Sequence, residues 1–318
     1  MLITENTTLR DVIQAIGWEE QAHMIDPMAK LNIDFSPIGQ PSFDQLTLKQ
    51  ISSFFSSWNS DSIAHGLRYL TERCRSGQVL YRYREDTSTG IAAFTLPERR
   101  KCVIICPGGG YTNVCSIAEG YPIAEAINRM GYAACVVNYR THKEASAPNP
   151  MEDLAQAIRF ISDHAEELNV DMEDYALMGF SAGGHLASSF GTEALGFQRY
   201  GLPAPKCMIL GYPVITMGAY AHEGSRNMLL GKDADQALRD LYSVEKQITA
   251  AYPPTFVWQC AADAAVPIQN SQLLVQALAA KGVAHTYEVF PGDAHGWGLG
   301  EGTPAKGWLE RAIRMWLK

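Results

Sequence analysis

The feature that most constrains the fold of this chain is a regular alternation of short apolar segments with helical patterns, from about residue 79 to the C-terminus. From residue 102 onward the apolar segments are continuous, and patterns such as YPIAEAINRMGY separate them. Continuous apolar strands between helices are typical of a parallel sheet that helices cover on both faces. The sequence therefore predicts an α/β fold. The candidate strands are residues 79–83, 91–95, 102–106, 133–138, 175–179, 206–211, 255–260 and 286–290.

The first two candidate strands alternate more between apolar and polar residues, which predicts an antiparallel start to the sheet. Before them, residues 1–76 show helical spacing and few strand-like runs. Predicted helices follow Thr7 or Thr8 as N-cap, follow Thr47, and occupy SDSIAHGLRYLTERCRSG. We interpret residues 1–76 as a helical extension and residues 77–318 as the main domain. The extension is either a cap over a functional site or a layer that packs on the core or mediates a dimer contact.

Length and charge limit the classes of partner. With 318 residues, the chain is long enough for one large α/β domain with additions, or for two small domains. Its net charge is −8 and it has no long basic run, which argues against binding to nucleic acid because such binding needs clustered lysine and arginine. No window approaches the roughly 20 apolar residues that span a bilayer. We therefore predict neither a nucleic-acid partner nor a membrane partner.

The seven cysteines have no paired spacing and no Cys-x-x-Cys pattern. Four of them lie inside or at the end of strand-like runs, which predicts buried free thiols rather than disulfides or a zinc site: Cys106, Cys135, Cys207 and Cys260. The N-terminal stretch MLITENTTLRDVIQAIGW has no basic segment followed by an apolar one, so it predicts no secretory signal. Together these features predict a cytoplasmic location.

One serine stands between glycines where a predicted strand meets a predicted helix, in the run ALMGFSAGGHLASSF. A sharp strand-to-helix turn strains the backbone of its serine, and the residues two before and two after it must be small. Gly179 and Gly183 meet this requirement for Ser181. Ordinary glycine-rich turns also match such a short pattern. A serine hydroxyl is a weak nucleophile, so a catalytic role requires a base.

Two loops at the carboxyl ends of predicted strands supply the partners of Ser181. The last strand leads into GDAHGWG, which places His295 where functional residues of open parallel sheets collect. The strand before it leads into AADAAVP, which presents Asp263. The order serine, aspartate, histidine is that of the α/β-hydrolase triad. Two rivals are His185, on the first turn of the helix after Ser181, and Asp293, two residues before His295.

Hydrolysis through a tetrahedral oxyanion also requires hydrogen-bond donors. The strand CVIIC leads directly into PGGGYTN, where glycines allow backbone N–H groups to face a ligand. We assign this role to Gly109 and Gly110, together with the N–H of Ala182. The alternative is a phosphate-binding loop, but the segment lacks both the Gly-x-Gly-x-x-Gly spacing and the Walker lysine.

With these residues, the chain resembles the α/β-hydrolase superfamily, in the branch that holds acetyl-xylan-esterase-like and hormone-sensitive-lipase-like carboxylesterases. The similarity runs from roughly residue 79 to the C-terminus. Pro107 stands where many lipase-like relatives have the histidine of His-Gly-Gly-Gly, and this favours the sugar-esterase side. The motifs that carry the resemblance are CPGGGY, GFSAGGHLA, GYPVITM, HEGSRNMLLG, PPTFVWQCAADAAVP and FPGDAHGWGLG.

The resemblance implies a serine carboxylesterase that needs no cofactor and no metal. We expect it to remove short acyl groups such as acetyl from small glycosides or oligosaccharides, with Tyr111 and Trp297 as candidates to line the site. Loop packing is the alternative role for both aromatic residues. Feruloyl or aryl esterase, prolyl-oligopeptidase-like peptidase and non-catalytic binding module are the alternative functions. Relatives in this branch often form dimers, so a homodimer is a possible assembly.

Overall fold

The protein is described here by a computed structural model that covers residues 2–29, 31, 33, 39, 42–55, 57–84 and 89–318. Within these residues an eight-stranded sheet has the order β1-β2-β4-β3-β5-β6-β7-β8. Every candidate strand lies on one of its strands, which confirms the predicted α/β fold. The strands are β1 Leu80–Tyr81, β2 Gly90–Phe94, β3 Arg100–Cys106, β4 Ala133–Asn138, β5 Val170–Phe180, β6 Cys207–Gly211, β7 Thr255–Cys260 and β8 His285–Phe290.

The sheet begins antiparallel and continues parallel. Strand β2 pairs antiparallel with both β1 and β4, whereas all pairs from β4 through β3 to β8 are parallel. The predicted antiparallel start is therefore confirmed. Successive residues of the central strands enter two different apolar clusters: Val103 and Ile105 belong to one, and Ile104 belongs to the other. This period of two buries both faces of the central strands, so their sequences are continuously apolar.

Helices cover both faces of the sheet. Apolar side chains from the helices of the N-terminal segment (residues 1–76) belong to the same cluster as Val103 and Ile105. The α-helices of the described residues are α1 Leu9–Ile16, α2 Leu48–Phe54, α3 Ser60–Ser76, α4 Ser116–Glu119, α5 Tyr121–Arg129, α6 Asn149–Asp163, α7 Ser181–Phe190, α8 Glu223–Leu230, α9 Gln236–Leu241, α10 Gln269–Ala280 and α11 Trp308–Trp316.

The N-terminal helices begin where the cap residues predict. The hydroxyl of Thr8, not that of Thr7, caps α1, and Thr47 caps α2. Helix α3 then packs so closely on α5 that a Cβ on Gly66 would lie 2.6 Å from the backbone nitrogen of Pro122. Since this contact joins the segment to the helix layer of the sheet, the segment and the sheet share one core.

All seven cysteines are free thiols, as predicted, and only Cys74 is not buried. No helix among the described residues has both the length and the apolar character needed to cross a bilayer.

Candidate active site

The turn between β5 and α7 holds Ser181 in a left-handed conformation, with a φ of +51°. A Cβ on Gly179 would lie 2.3 Å from the carbonyl oxygen of Gly183, and a Cβ on Gly183 would lie 2.1 Å from the carbonyl oxygen of Cys106. Real side chains cannot approach backbone that closely, so both positions require glycine. The small residues around Ser181 are therefore explained by contacts with the turn itself and with the end of β3.

The three residues that the sequence nominates as a triad meet beyond the carboxyl ends of β5, β7 and β8. The Nε2 atom of His295 lies 2.8 Å from the Oγ atom of Ser181. The Nδ1 atom of His295 lies 2.8 Å from Oδ2 of Asp263, whose side chain is fully buried. A carboxylate that accepts a hydrogen bond from Nδ1–H keeps the ring proton on Nδ1, so Nε2 is free to take the serine proton. Backbone N–H groups of Ala265 and Val266 hold the other carboxylate oxygen, at 3.0 and 2.9 Å.

The glycine loop (residues 107–113) passes directly beside this serine. A Cβ on Gly108 would lie 2.8 Å from the Cβ of Ser181. Gly109 and Gly110 have φ values of +128° and +65°, which glycine adopts most readily. Ala182 lies in the first turn of α7, where backbone N–H groups have no partner within the helix. The three predicted oxyanion donors thus belong to two segments that flank Ser181, and their role in binding an oxyanion stays a prediction.

The rival base, His185, lies in the core and not at the site. Its Nε2–H donates to the carbonyl oxygen of Tyr242 at 2.8 Å, and its Nδ1 accepts the hydroxyl of Tyr111 at 2.8 Å. Burial lowers the pKa of His185 to about 4, so the ring stays neutral near pH 7. The rival acid, Asp293, is exposed, whereas Asp263 accepts a hydrogen bond from the imidazole of His295.

Three comparisons with known proteins agree on a family. The BD-FAE family model matches residues 95–198. The crystal structure of an acetyl ester-xyloside bifunctional hydrolase from Caldicellulosiruptor lactoaceticus is 33% identical to the chain, with a TM-score of 0.65, and the match covers 72% of this chain and 87% of that one. The chain belongs to the BD-FAE family of α/β-hydrolases. A carboxylesterase from Lactobacillus plantarum, at 29% identity and a TM-score of 0.59, also has this fold over 76% of the chain and 94% of its own.

Two curated relatives of this α/β-hydrolase are longer proteins. Endo-1,4-beta-xylanase B of Butyrivibrio fibrisolvens is 35% identical over 219 residues, which are 66% of this chain and 34% of the relative. The acetylxylan esterase of Xylanibacter ruminicola is 32% identical over 231 residues, which are 70% of this chain and 47% of the relative. The chain therefore spans between a third and a half of the length of these two relatives.

The two aromatic residues nominated to line the site differ in position. Tyr111 is 1% exposed and donates its hydroxyl to His185, so its ring packs behind the glycine loop. This corrects the expectation that Tyr111 offers a face to substrate, because loop packing uses its whole ring. Trp297 is half-buried and lies against the turn at Gly292, in the histidine loop (residues 291–298).

Three residues beside the triad were not predicted from the sequence: Glu119, Tyr212 and His222. The ring of Tyr212 meets that of His295 edge-on, with centroids 4.8 Å apart, and its hydroxyl donates to Glu119 at 2.8 Å. His222 precedes α8, and its Nδ1 accepts the backbone N–H of Ser225 at 3.2 Å. The motif HEGSRNMLLG contains His222, and that motif is the signal that pointed toward it.

His222 lies beside the glycine loop as a neutral imidazole. Because Nδ1 accepts a hydrogen bond, the ring proton of the neutral form belongs on Nε2. Burial lowers the pKa of His222, and a positive charge on nearby His295 lowers it further. Its Cε1 atom also lies 3.9 Å from the position that a Cβ on Gly110 would take. His222 therefore places an imidazole ring near Gly110, one of the predicted oxyanion donors.

The N-terminal segment touches both loops of the site. The Sδ atom of Met28 lies 3.6 Å from the side-chain nitrogen of Asn113, in the glycine loop. On the other side, a Cβ on Gly296 would lie 3.2 Å from Oγ of Ser57 and 3.5 Å from Nε1 of Trp58. The segment therefore borders the glycine loop and the histidine loop. No group of three or more histidine, cysteine, aspartate or glutamate residues in the described part of the chain could hold a metal ion.

The buried His185 leads to a prediction about stability against pH. Between the unfolded value of 6.5 and the folded pKa of about 4, the unfolded state binds a proton that the native state does not. The stability of the wild type therefore falls as pH decreases through this window. We expect the stability difference between the wild type and His185→Gln to shrink by about 2 kcal/mol between pH 7.5 and pH 5.

Urea unfolding at the two pH values measures this difference, and all other titrating groups are common to both proteins. An equal gap at both pH values would contradict the neutral, buried histidine.

Proposed function

We propose that this α/β-hydrolase is a serine carboxylesterase that removes short acyl groups, acetyl above all, from carbohydrates. Ser181 is the nucleophile, His295 is the general base and acid, and Asp263 orients and stabilises His295. The observation that carries the proposal is the pair of 2.8 Å contacts that joins Ser181 to His295 and His295 to Asp263. This pattern of a nucleophile, a base and an orienting carboxylate is what acyl transfer to serine requires.

The reaction follows from the positions of the protons. His295 accepts the hydroxyl proton at Nε2 while Ser181 Oγ attacks the ester carbonyl. Backbone N–H groups of Gly109, Gly110 and Ala182 receive the oxyanion, and the positive end of the α7 dipole favours the same charge. His295 then protonates the leaving alcohol. A water molecule, activated by the same imidazole, hydrolyses the acyl-enzyme and restores Ser181.

The substrate class rests on names of similar proteins and on the groups beside the triad. One relative is called an acetylxylan esterase and one solved neighbour an acetyl ester-xyloside hydrolase. Sugar esters offer hydroxyl groups next to the acyl group, and the N–H of His222 suits such an oxygen. Trp297 adds a partly buried aromatic ring in the histidine loop. These features favour a short acyl ester of a sugar over a long-chain lipid ester.

We assign residues 1–76 the role of a cap that borders the substrate cleft, and residues 77–318 that of the catalytic domain. The contacts of Met28 with the glycine loop and of Trp58 with the histidine loop support this role. The variant Trp58→Ala tests this role when its KM values for oligosaccharide esters and for p-nitrophenyl acetate are compared with those of the wild type. As a cap residue it should raise KM for oligosaccharide esters more than KM for p-nitrophenyl acetate.

A substrate panel tests the function. We expect hydrolysis of p-nitrophenyl acetate with kcat/KM about tenfold or more above that for the octanoate ester, because a short-acyl pocket rejects added methylenes. Acetate release from acetylated xylo- and manno-oligosaccharides is expected at comparable efficiency. Chromogenic release and acetate quantification measure the two reactions.

The other functions give different results in the same panel. Faster turnover of methyl ferulate than of acetyl esters would indicate an aryl esterase. Cleavage of an aminoacyl-p-nitroanilide would indicate a peptidase, and no turnover of any substrate would indicate a binding module.

A further inference from the structure

A buried carboxyl group outside the triad lies between the glycine loop and the histidine loop. Glu119 ends the short helix α4 and is 3% exposed. Among the described residues, no lysine or arginine forms an ion pair with it, and the side chain whose positive charge would act on it is His295, once that ring is protonated. Burying a charge without an ion-pair partner costs free energy, so the hydrogen bonds of Glu119 must compensate for its burial.

Both oxygens of Glu119 accept hydrogen bonds from the two loops of the site. Oε2 accepts the backbone N–H of Gly108 at 2.7 Å, in the glycine loop beside Ser181. Oε1 accepts the hydroxyl of Tyr212 at 2.8 Å. The oxygen of Tyr212 in turn accepts the backbone N–H of Gly298, at the end of the histidine loop, at 3.1 Å. One carboxylate therefore connects the loop that flanks the nucleophile with the loop that carries the base.

The donor and acceptor count requires a carboxylate at this position. Glu119 faces two donors, the N–H of Gly108 and the O–H of Tyr212. A carboxylate has two accepting oxygens, whereas the amide of glutamine has only one and adds two donors of its own. Glutamine at position 119 must therefore leave one of the two donors unpaired in a buried site. An ionised group fits both donors. Burial raises the pKa of Glu119, and the bond from Tyr212, the charge of His295 and the bond from Gly108 act to lower it.

We propose that Glu119 is a positioning residue of this esterase site: through Tyr212 it ties the glycine loop to the histidine loop, and its negative charge favours the protonated form of His295. The proposal rests on the proposed function, because it assigns Glu119 a task in the same reaction. The bond to Gly108 holds the start of the glycine loop, which leaves the N–H groups of Gly109 and Gly110 for the oxyanion. The ring of Tyr212, 4.8 Å from that of His295, limits how the imidazole can tilt.

Several charged or titratable groups surround this pair. Groups from four other elements lie near His295: Asp263 after β7, His222 before α8, Tyr212 after β6 and Glu119 on α4. The exposed Asp293 stands two residues before it in the same loop. Around Glu119 itself lie Tyr212, Tyr139 and Cys115, all with raised pKa values and therefore neutral near pH 7. Asp263 and Glu119 are thus the buried carboxyl groups near the imidazole.

The test compares Glu119→Gln with Tyr212→Phe, using the pH profile of p-nitrophenyl acetate hydrolysis. Glu119→Gln removes the charge and one bond. We expect kcat to fall about 10–100-fold with little change in KM, because a small misplacement of reacting groups has effects of this size. We also expect the acid limb of kcat/KM to move down by about half a pH unit, since loss of a negative charge makes protonation of His295 less favourable.

Tyr212→Phe is the matched control for the charge. It breaks the link between Glu119 and Gly298 but keeps the carboxylate, so kcat should fall while the acid limb stays at its wild-type pH. Glu119→Asp provides a further variant if the glutamine variant does not fold: it keeps the charge, but a shorter side chain cannot reach both donors. It should combine a reduced kcat with a wild-type acid limb.

A folded Glu119→Gln variant with wild-type kcat would overturn the proposal, as would one whose acid limb does not move. A wild-type protein without ester hydrolysis would instead reject the proposed function. The two failures are therefore distinguishable.

Discussion

Replacing Ser181 with alanine is expected to lower kcat for ester hydrolysis by about 10⁴–10⁶-fold and to leave the protein folded. The hydroxyl is the atom that forms the acyl-enzyme, and its Oγ contacts Nε2 of His295 at 2.8 Å. Alanine fills the same space apart from that oxygen, so the turn between β5 and α7 keeps its packing. Hydrolysis of p-nitrophenyl acetate measures the rate, and thermal unfolding checks the fold.

A second serine on the same helix provides the matched control. Ser189 is fully buried, and its hydroxyl has no hydrogen-bond partner among the described residues. Ser189→Ala should therefore leave kcat unchanged and not lower stability, because no hydrogen bond is lost. If Ser181→Ala retained near wild-type hydrolysis, the triad assignment would be rejected, and with it the proposed mechanism.

Replacing Gly183 with alanine is expected to destabilise the protein by about 3 kcal/mol and to reduce activity in whatever fraction still folds. The new Cβ would lie 2.1 Å from the carbonyl oxygen of Cys106 and 2.3 Å from that of Pro107. Both contacts are with backbone at the end of β3, so relief requires movement of the glycine loop itself. Urea unfolding and the ester assay measure the two effects.

Gly77 is the control for this substitution. It ends α3 in an extended conformation, with a φ of 171°, and a Cβ there would meet no atom within 4 Å. Gly77→Ala should be neutral or stabilising by up to about 1 kcal/mol, through the lower entropy of the unfolded chain. Equal stabilities of Gly183→Ala and wild type would show that the strand-to-helix turn tolerates a side chain, against the geometry described above.

The strands could be predicted because a strand that is buried on both faces has a continuously apolar sequence. The apolar pattern did not reveal the start of β5, which pairs with β3 about 70 residues earlier in the chain. Strand β5 was predicted as residues 175–179, but it begins at Val170. Three of its first five residues are acidic, so this stretch lacks the continuously apolar pattern. It pairs with Arg100 and Lys101 of β3, and Asp174 forms an ion pair with Lys101 at 2.9 Å. Only the tertiary pairing makes that stretch a strand.

Glu119 shows why part of the site could not be predicted. In the run SIAEGYP a glutamate has no local mark of function, and charged residues are almost always expected at the surface. Its role depends on Gly108, Tyr212 and Gly298, which belong to three separate loops. Tyr111 shows the converse. Its position in the sequence beside the glycine loop suggested a substrate contact. In the fold, however, the ring of Tyr111 is buried and its hydroxyl donates to His185.

By itself, the sequence determined the α/β architecture, the antiparallel start of the sheet, the free thiols and the loops that carry Ser181, Asp263 and His295. These follow from local periodicity and from the rule that parallel strands end at one edge of their sheet. Tertiary structure alone decided which side chains meet there: Glu119 and Tyr212 between the two loops, His222 beside the glycines, and Tyr111 in the core. The direction and contacts of a side chain depend on strand register and loop path, and neither is encoded in the residues nearby.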